Sequence, residues 1–212
     1  MPRRTAIRFT ALMACTCLYT ACVPGLHREP RTPQQDERDV LLAAIRSLEI
    51  EAEHDPVTDQ VVGEHRVPVV LLATTRSVDP ALMPGRETLR RERVRLPAEA
   101  LSDLVRRSAA PVPIVSLTGD SLRARVITAV QLDSLRNAPG GVNAPGHLLN
   151  LRYPQARGVH LISRPGFDPS RTHAAVSVGL WCGNQCGTGG LLLLDFHRGR
   201  WRVLRYVGMT IA

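Results

Sequence analysis

Short apolar runs separated by Gly, Pro and Asn clusters fill the last third of the chain, Gly158 to Ile211. That pattern predicts consecutive antiparallel strands. Within Thr172–Trp181, Val176, Val178 and Leu180 fall on one face of a strand, and Ala175, Ser177 and Gly179 on the other. The small second face permits close approach of whatever packs above it. Leu191 to Leu194 is continuously apolar, as a central strand covered on both sides should be. His197-Arg-Gly-Arg200 reads as a hairpin turn with Gly199 at positive φ, returning the chain into Trp201. Trp201, Phe167 and Phe196 are expected as core or hairpin-packing residues.

Upstream the pattern changes period. Leu41, Ile45 and Leu48, extended by Val40 and Ala44, form a helical stripe in Asp36–Ile50, with acidic residues in its first turn. Arg66–Thr75 is β-branched and apolar and predicts a buried strand, with Pro68 limiting pairing near its start. Asp79–Gly85 is loop. Leu96–Arg107 predicts a second helix with Pro97 in its first turn. Val112–Leu117 and Leu122–Val130 predict two strands across a turn at Thr118–Ser121. Leu132–Tyr153 is rich in Gly, Asn and Pro and predicts at most a short helix near His147–Leu151. No internal repeat is evident. The expected fold is therefore α+β: one domain over residues 36–212, an antiparallel sheet ending in a meander and carrying two or three helices.

Residues 1–26 belong to targeting rather than fold. Arg3, Arg4 and Arg8 precede an uncharged stretch from Phe9 to Leu26. It is broken by Thr and by Pro24-Gly25, and falls short of the roughly 20 apolar residues a membrane span needs. Export is the expectation. The leader's end resembles a bacterial lipoprotein signal, in which a Cys after small residues is acylated and becomes the N-terminus. Leu18-Tyr-Thr-Ala-Cys22 places that role on Cys22, although Tyr19 stands where the family has Leu. The rival is simple cleavage near Ala21. Residues 27–35, rich in Pro, Arg, Gln and Glu, read as a flexible tether.

The formal charge of +8 shrinks once the leader is set aside, leaving 24 basic against 19 acidic residues. All 27 basic residues are Arg. They alternate with acids, as in Glu87–Arg95, which reads as a salt-bridged surface rather than a nucleic-acid footprint. An aromatic content of 4% leaves little for base stacking. Nucleic acid is not expected as a partner.

Ser163-Arg-Pro-Gly-Phe167, Ala174-Ala175, Cys182-Gly183, Cys186-Gly-Thr-Gly189, the leucine run and Gly199-Arg-Trp201 together resemble the C-terminal signature of uncharacterised exported bacterial proteins. Pro165 replaces that family's Val, which suggests an edge or bulge. The resemblance covers about 50 residues and implies no activity.

Cys182 and Cys186 are the only cysteines beyond the leader. In an exported chain such a pair reads first as a disulfide. A thiol-redox site is the rival, but the spacing of three and the strand flanks differ from Cys-x-x-Cys at a helix start. A zinc site would need His160, His173 or His197 as further ligands. Gly187-Thr-Gly-Gly190 leads into a strand, so it reads as a turn rather than a phosphate cradle. Ser163, His160, His173, Asp168 and Asp195 could supply a hydrolase trio, but no Gly-x-Ser-x-Gly elbow is present. Glu51, Glu53 and Asp55 read as a solvated face, with His54 and His65 as surface residues. Arg164, inside a strand motif, calls for a buried ion pair.

No catalytic, cofactor or metal residue is assigned. The expected protein is a non-enzymatic, lipid-anchored envelope protein facing the periplasm, with a ligand- or partner-binding or structural domain. Its alternative is an envelope hydrolase or thiol-redox enzyme using the Cys182 and His173 neighbourhood.

Overall fold

The computed structural model describes residues 31–54, 61–83 and 97–209. The leader with Cys22, the start of the tether, Asp55 and the Glu87–Arg95 run lie outside the described residues, as do the side chains of Glu51, Glu53 and His54.

Helix α1 spans Pro33–Leu48. Thr32 caps it: its hydroxyl accepts from the Gln35 amide at 3.2 Å, while the Gln35 side chain accepts from the Thr32 amide at 2.8 Å. This reciprocal box, with Pro33 at the first helical position, satisfies two orphan donors. It starts the helix three residues ahead of the expected Asp36, so the tether's last residues are helical.

A two-stranded antiparallel hairpin follows, β1 (Ile50–His54) and β2 (Val61–Arg66). The main sheet contains β3 (Val70–Leu72), β4 (Arg125–Ile127), β5 (Val159–Ile162), β6 (Gly166–Phe167), β7 (His173–Gly183), β8 (Cys186–His197) and β9 (Arg200–Met209). Their order is β4-β3-β5-β7-β8-β9, with β6 also pairing β7. The expected meander is present: β7, β8 and β9 pair antiparallel in succession. The other end differs, because β3 runs parallel to both β4 and β5. Parallel neighbours need crossovers, and helices supply them. The class is α+β with a mixed, mostly antiparallel sheet, and the described residues hold five α-helices where two or three are expected. The other four are α2 (Ala98–Ser108), α3 (Ile114–Thr118), α4 (Ala129–Arg136) and α5 (Ala144–Arg152).

Two predicted strands are corrected by this. Of Val112–Leu117, only Pro113 makes a bridge, to Thr74, and the rest from Ile114 folds into α3, whose buried Ile114 and Thr118 sit one turn apart; the Thr118 hydroxyl donates to the Ile114 carbonyl at 3.0 Å. Leu122–Val130 keeps strand only at β4. Thr128 then caps α4 through a second reciprocal box with Gln131. Of the Arg66–Thr75 run, Arg66 closes β2 and Val70–Leu72 forms β3, while Pro68 lies between the two strands.

The core has two sides. Val40, Leu41, Ala44 and Ile45 of α1, with Ile114 of α3, cover the face carrying Val176, Val178, Leu192, Leu194 and Trp201. Leu104 of α2 covers Ala175, Leu191, Leu193 and Val207 on the opposite face. Helices α4 and α5 cover Val70, Ile127 and Val159. The small face of β7 is thus used as its composition suggests. Gly166 is the tightest point: a Cβ there would lie 2.1 Å from the backbone nitrogen of Leu104. At Pro165 the row breaks between β5 and β6. Arg198 and Gly199 both take positive φ at the last hairpin, and Phe167 and Phe196 pack on Trp201 at 5.7 and 5.4 Å between ring centroids.

The N-terminal end of α1 carries two buried carboxylates, Asp36 in its first turn and Glu37 just after it. Glu37 accepts from Arg164 Nε at 2.8 Å and Nη2 at 3.1 Å, and from Arg107 Nη2. Asp36 accepts from Arg31 Nε at 2.7 Å, Arg171 Nε at 2.8 Å and the Trp201 indole at 3.3 Å. Arg164 therefore makes the buried ion pair its position calls for. Burial alone would raise the Glu37 pKa, but the hydrogen bonds from Arg164 and Arg107 outweigh it and the carboxyl sits below its ordinary value. The unfolded chain then binds more protons as pH falls, so this stabilisation is full above about pH 4.5 and lost below it. Glu37→Gln is expected to cost about 3 kcal/mol at neutral pH, because two guanidiniums lose their counter-charge. Denaturant unfolding at neutral pH and at low pH checks this: the deficit should shrink as the wild-type carboxylate protonates.

Candidate functional site

Helix α1 ends at Leu48, before it has covered the whole sheet face beneath it. The uncovered part forms a pocket of about 380 Å³. Its floor follows from strand register. His160 of β5, Leu180 of β7 and Thr188 of β8 form one row across the sheet. The next row holds Ile162, Val178 and Gly190. A third holds Val176, Leu192 and Tyr206. Ser47, Leu48 and Ile50 form one wall, Val203 and Tyr206 another, and Arg157 stands at the rim.

Gly190 is what lets the pocket keep its shape. A Cβ at this position would come within 2.4 Å of the Tyr206 ring. Without one, the ring lies over Gly190 and its hydroxyl donates to the Gly189 carbonyl at 2.9 Å. Gly187-Thr-Gly-Gly190 is therefore not the expected turn; it lies within β8. Burial raises the Tyr206 pKa, partly offset by a hydrogen bond with Thr188.

His160 is the unusual group. It is 9% exposed and lines the pocket. Burial, assisted by the positive charge of Arg157, lowers its pKa to about 4. It stays neutral at physiological pH, one nitrogen a donor and the other an acceptor. Among the described residues that line the pocket, none is Asp or Glu. A second hollow, about 690 Å³, borders the same helix but is lined by charges of both signs, among them Arg46, Glu49, Arg66, Asp120 and Arg123.

The residues singled out by sequence are distributed as follows. Cys182 and Cys186 lie at disulfide distance, Cα atoms 5.1 Å apart, at the β7–β8 tip. His173 is at the other end of β7, roughly 30 Å away along an extended strand. The fold does not bring the Cys182 and His173 neighbourhood together as one site. Ser163 is fully buried and donates to the Arg164 carbonyl at 2.9 Å. Asp168 clasps its own loop: it accepts from the Thr172 and His173 amides at 2.9 and 2.8 Å and from the Ser170 hydroxyl. Burial would raise its pKa, but these bonds win and lower it. The Thr172 hydroxyl lies 3.1 Å and Asp168 Oδ2 3.6 Å from the same nitrogen, Nδ1, of His173. A relay needs the nucleophile and the carboxylate on opposite nitrogens. Asp195 pairs with Arg202 at 2.7 Å, which lowers its pKa. Among the described residues no three His, Cys, Asp or Glu side chains converge to hold a metal ion.

Comparison of the chain with family models, with curated proteins and with solved structures finds no match.

Two outcomes follow. An unfolded imidazole titrates near 6.5 and His160 near 4, so the unfolded chain binds more protons between those values. Stability is expected to fall as pH drops through that window, and His160→Phe should flatten this part of a stability–pH curve measured by denaturant unfolding. Reducing the Cys182–Cys186 pair, which closes a five-residue loop, should cost about 2 kcal/mol by chain entropy. Unfolding with and without a thiol reductant measures it, and Cys186→Ser should be insensitive to the reductant.

Proposed function

We propose that this chain is an exported, lipid-anchored protein of a bacterial envelope whose α+β domain binds a small ligand in the pocket at the end of α1, without catalysing a reaction. The binding half rests on one observation: a half-open, largely apolar pocket floored by a buried, neutral His160. Ligand pockets characteristically combine an apolar lining with a few convergent polar groups. Here those groups are His160, Thr188, Tyr206 and Arg157, delivered by three strands and a loop. The anchoring half rests on the leader, with Arg3, Arg4 and Arg8 ahead of an uncharged stretch and Cys22 after small residues. The likeness of Ser163–Trp201 to exported bacterial proteins supports the same address. Acylation would fix the domain to a membrane surface, since each buried methylene contributes about 0.8 kcal/mol.

Intact mass of the protein purified from its native membrane fraction tests both halves. Denatured, it should match a chain that begins at an acylated Cys22 and gains alkyl labels on Cys182 and Cys186 only after reduction. Under non-denaturing conditions it should retain a small molecule that the pocket-filling variant Thr188→Trp lacks. An unacylated chain overturns the anchor. A retained molecule indifferent to Thr188→Trp moves the binding elsewhere.

A further inference from the structure

The second hollow beside α1 is built separately from the pocket above, although Ile50 borders both. Three pieces of chain make its walls. Leu42, Ile45, Arg46 and Glu49 stand on one face of α1, three and four residues apart. Arg66 closes β2 opposite Ile50, and the next amide, of Val67, donates to the Glu49 carbonyl at 2.8 Å. Asp120, Ser121, Leu122 and Arg123 lead toward β4, where the Arg125 amide donates to the Val69 carbonyl at 2.9 Å. Backbone hydrogen bonds thus tie the walls together. Five charged side chains, those of Arg46, Arg66, Arg123, Glu49 and Asp120, border this one hollow of about 690 Å³. Among the described residues none of the five side chains enters an ion pair or a hydrogen bond. At the other end of the same helix, Asp36, Glu37 and Asp39 are all paired with arginines. Opposite charges that surround a space without closing it leave room for a ligand that meets both.

Donor and acceptor chemistry narrows that ligand. Guanidiniums only donate and ionised carboxylates only accept. The complement therefore offers acceptor oxygens to the arginines and donor hydrogens to Glu49 and Asp120. Three guanidiniums against two carboxylates leave a positive excess, which favours an anion over a cation. Hydroxyls serve as the donors better than ammonium groups, which the arginines would repel. Planar Arg forks match phosphate oxygens, and a phosphate's charge answers several of them at once. The Ser121 hydroxyl accepts from Arg38 and keeps its own hydrogen to give. Leu42, Ile45 and Leu122 supply apolar surface for the C–H face of a ring. We propose that this hollow binds a phosphorylated saccharide, its phosphate held by Arg46, Arg66 and Arg123 and its hydroxyls by Glu49, Asp120 and Ser121.

Calorimetric titration of the purified full chain at neutral pH and low ionic strength tests this, with glucose 1-phosphate, inorganic phosphate and glucose as probes. Glucose 1-phosphate should bind at least about tenfold more tightly than either of the others. Arg66→Gln and Arg123→Gln, both at exposed positions where folding is not at stake, should each weaken it by about tenfold. Replacing both acids, Glu49→Gln with Asp120→Asn, should act in opposite directions on two probes. It removes negative charge, so inorganic phosphate should bind more tightly, while glucose 1-phosphate loses its advantage over phosphate. A merely electrostatic surface would instead tighten both probes alike, and that result overturns the saccharide. Equal affinity for glucose 1-phosphate and phosphate in the unaltered protein does the same. Binding of no probe, or binding indifferent to both arginine variants, overturns the site. Thr188→Trp separates the two hollows: loss of glucose 1-phosphate binding in that variant would place the ligand in the other pocket and overturn this proposal.

Discussion

A carboxylate held between two guanidiniums fixes the geometry of this protein. Glu37 lies 70 residues from Arg107 and 127 from Arg164, and joins α1 to α2 and to the break between β5 and β6. Beside it, Asp36 ties the same helical turn to Arg171 and to the indole of Trp201, 135 and 165 residues away. Charges taken this far out of water must be matched in number and direction, and the planar fork of Arg suits that task better than an ammonium group. Because both acids sit at the N-terminal end of the helix, they clamp that end of α1 against the sheet. The apolar stripe of Val40, Leu41, Ala44 and Ile45 then sets the helix's path. Where α1 stops, and so where the sheet stays uncovered, follows from that clamp and from helix length.

What could be read from the chain alone tracks how local the deciding interactions are. Alternation in β7, the leucine run of β8 and the turn at Gly199 are short-range signals, and the meander they predict is present. Arg164 in a strand motif announced a buried ion pair, though nothing local could name Glu37 as its partner. The errors divide in two. Thr32-Pro-Gln-Gln35 and Thr128-Ala-Val-Gln131 are capping boxes printed in the sequence; weighing apolar periodicity above end signals misplaced one helix start and missed α4. Val112–Leu117 is another kind of error, since its β-branched residues favour a strand in isolation. The packing of Ile114 under α1 decides for a helix, and propensity yields to tertiary contact.

The pocket was illegible for a related reason. It is made less by residues than by missing ones: no Cβ at Gly190, no helix beyond Leu48. Gly187–Gly190 resembles a turn because glycines usually mark one, whereas here they admit the Tyr206 ring from the next strand. His160 stood in the sequence as one histidine among seven. Only the row it shares with Leu180 and Thr188 shows that it faces a hollow rather than a packed core.

The position of Tyr206 has one more consequence. Among the described strands β9 is outermost on its side of the sheet, so a wall of the pocket is also an open ladder of backbone amides and carbonyls. Such an edge invites pairing with any extended chain. Arg200, Arg202 and Arg205 are all exposed along it, and charged side chains on an edge strand, even one held by a neighbour as Arg202 is by Asp195, blunt such pairing. A row of arginines on the outermost described strand disfavours edge-to-edge pairing of the chain with itself, and it does so along the same strand that supplies Tyr206 to the pocket wall.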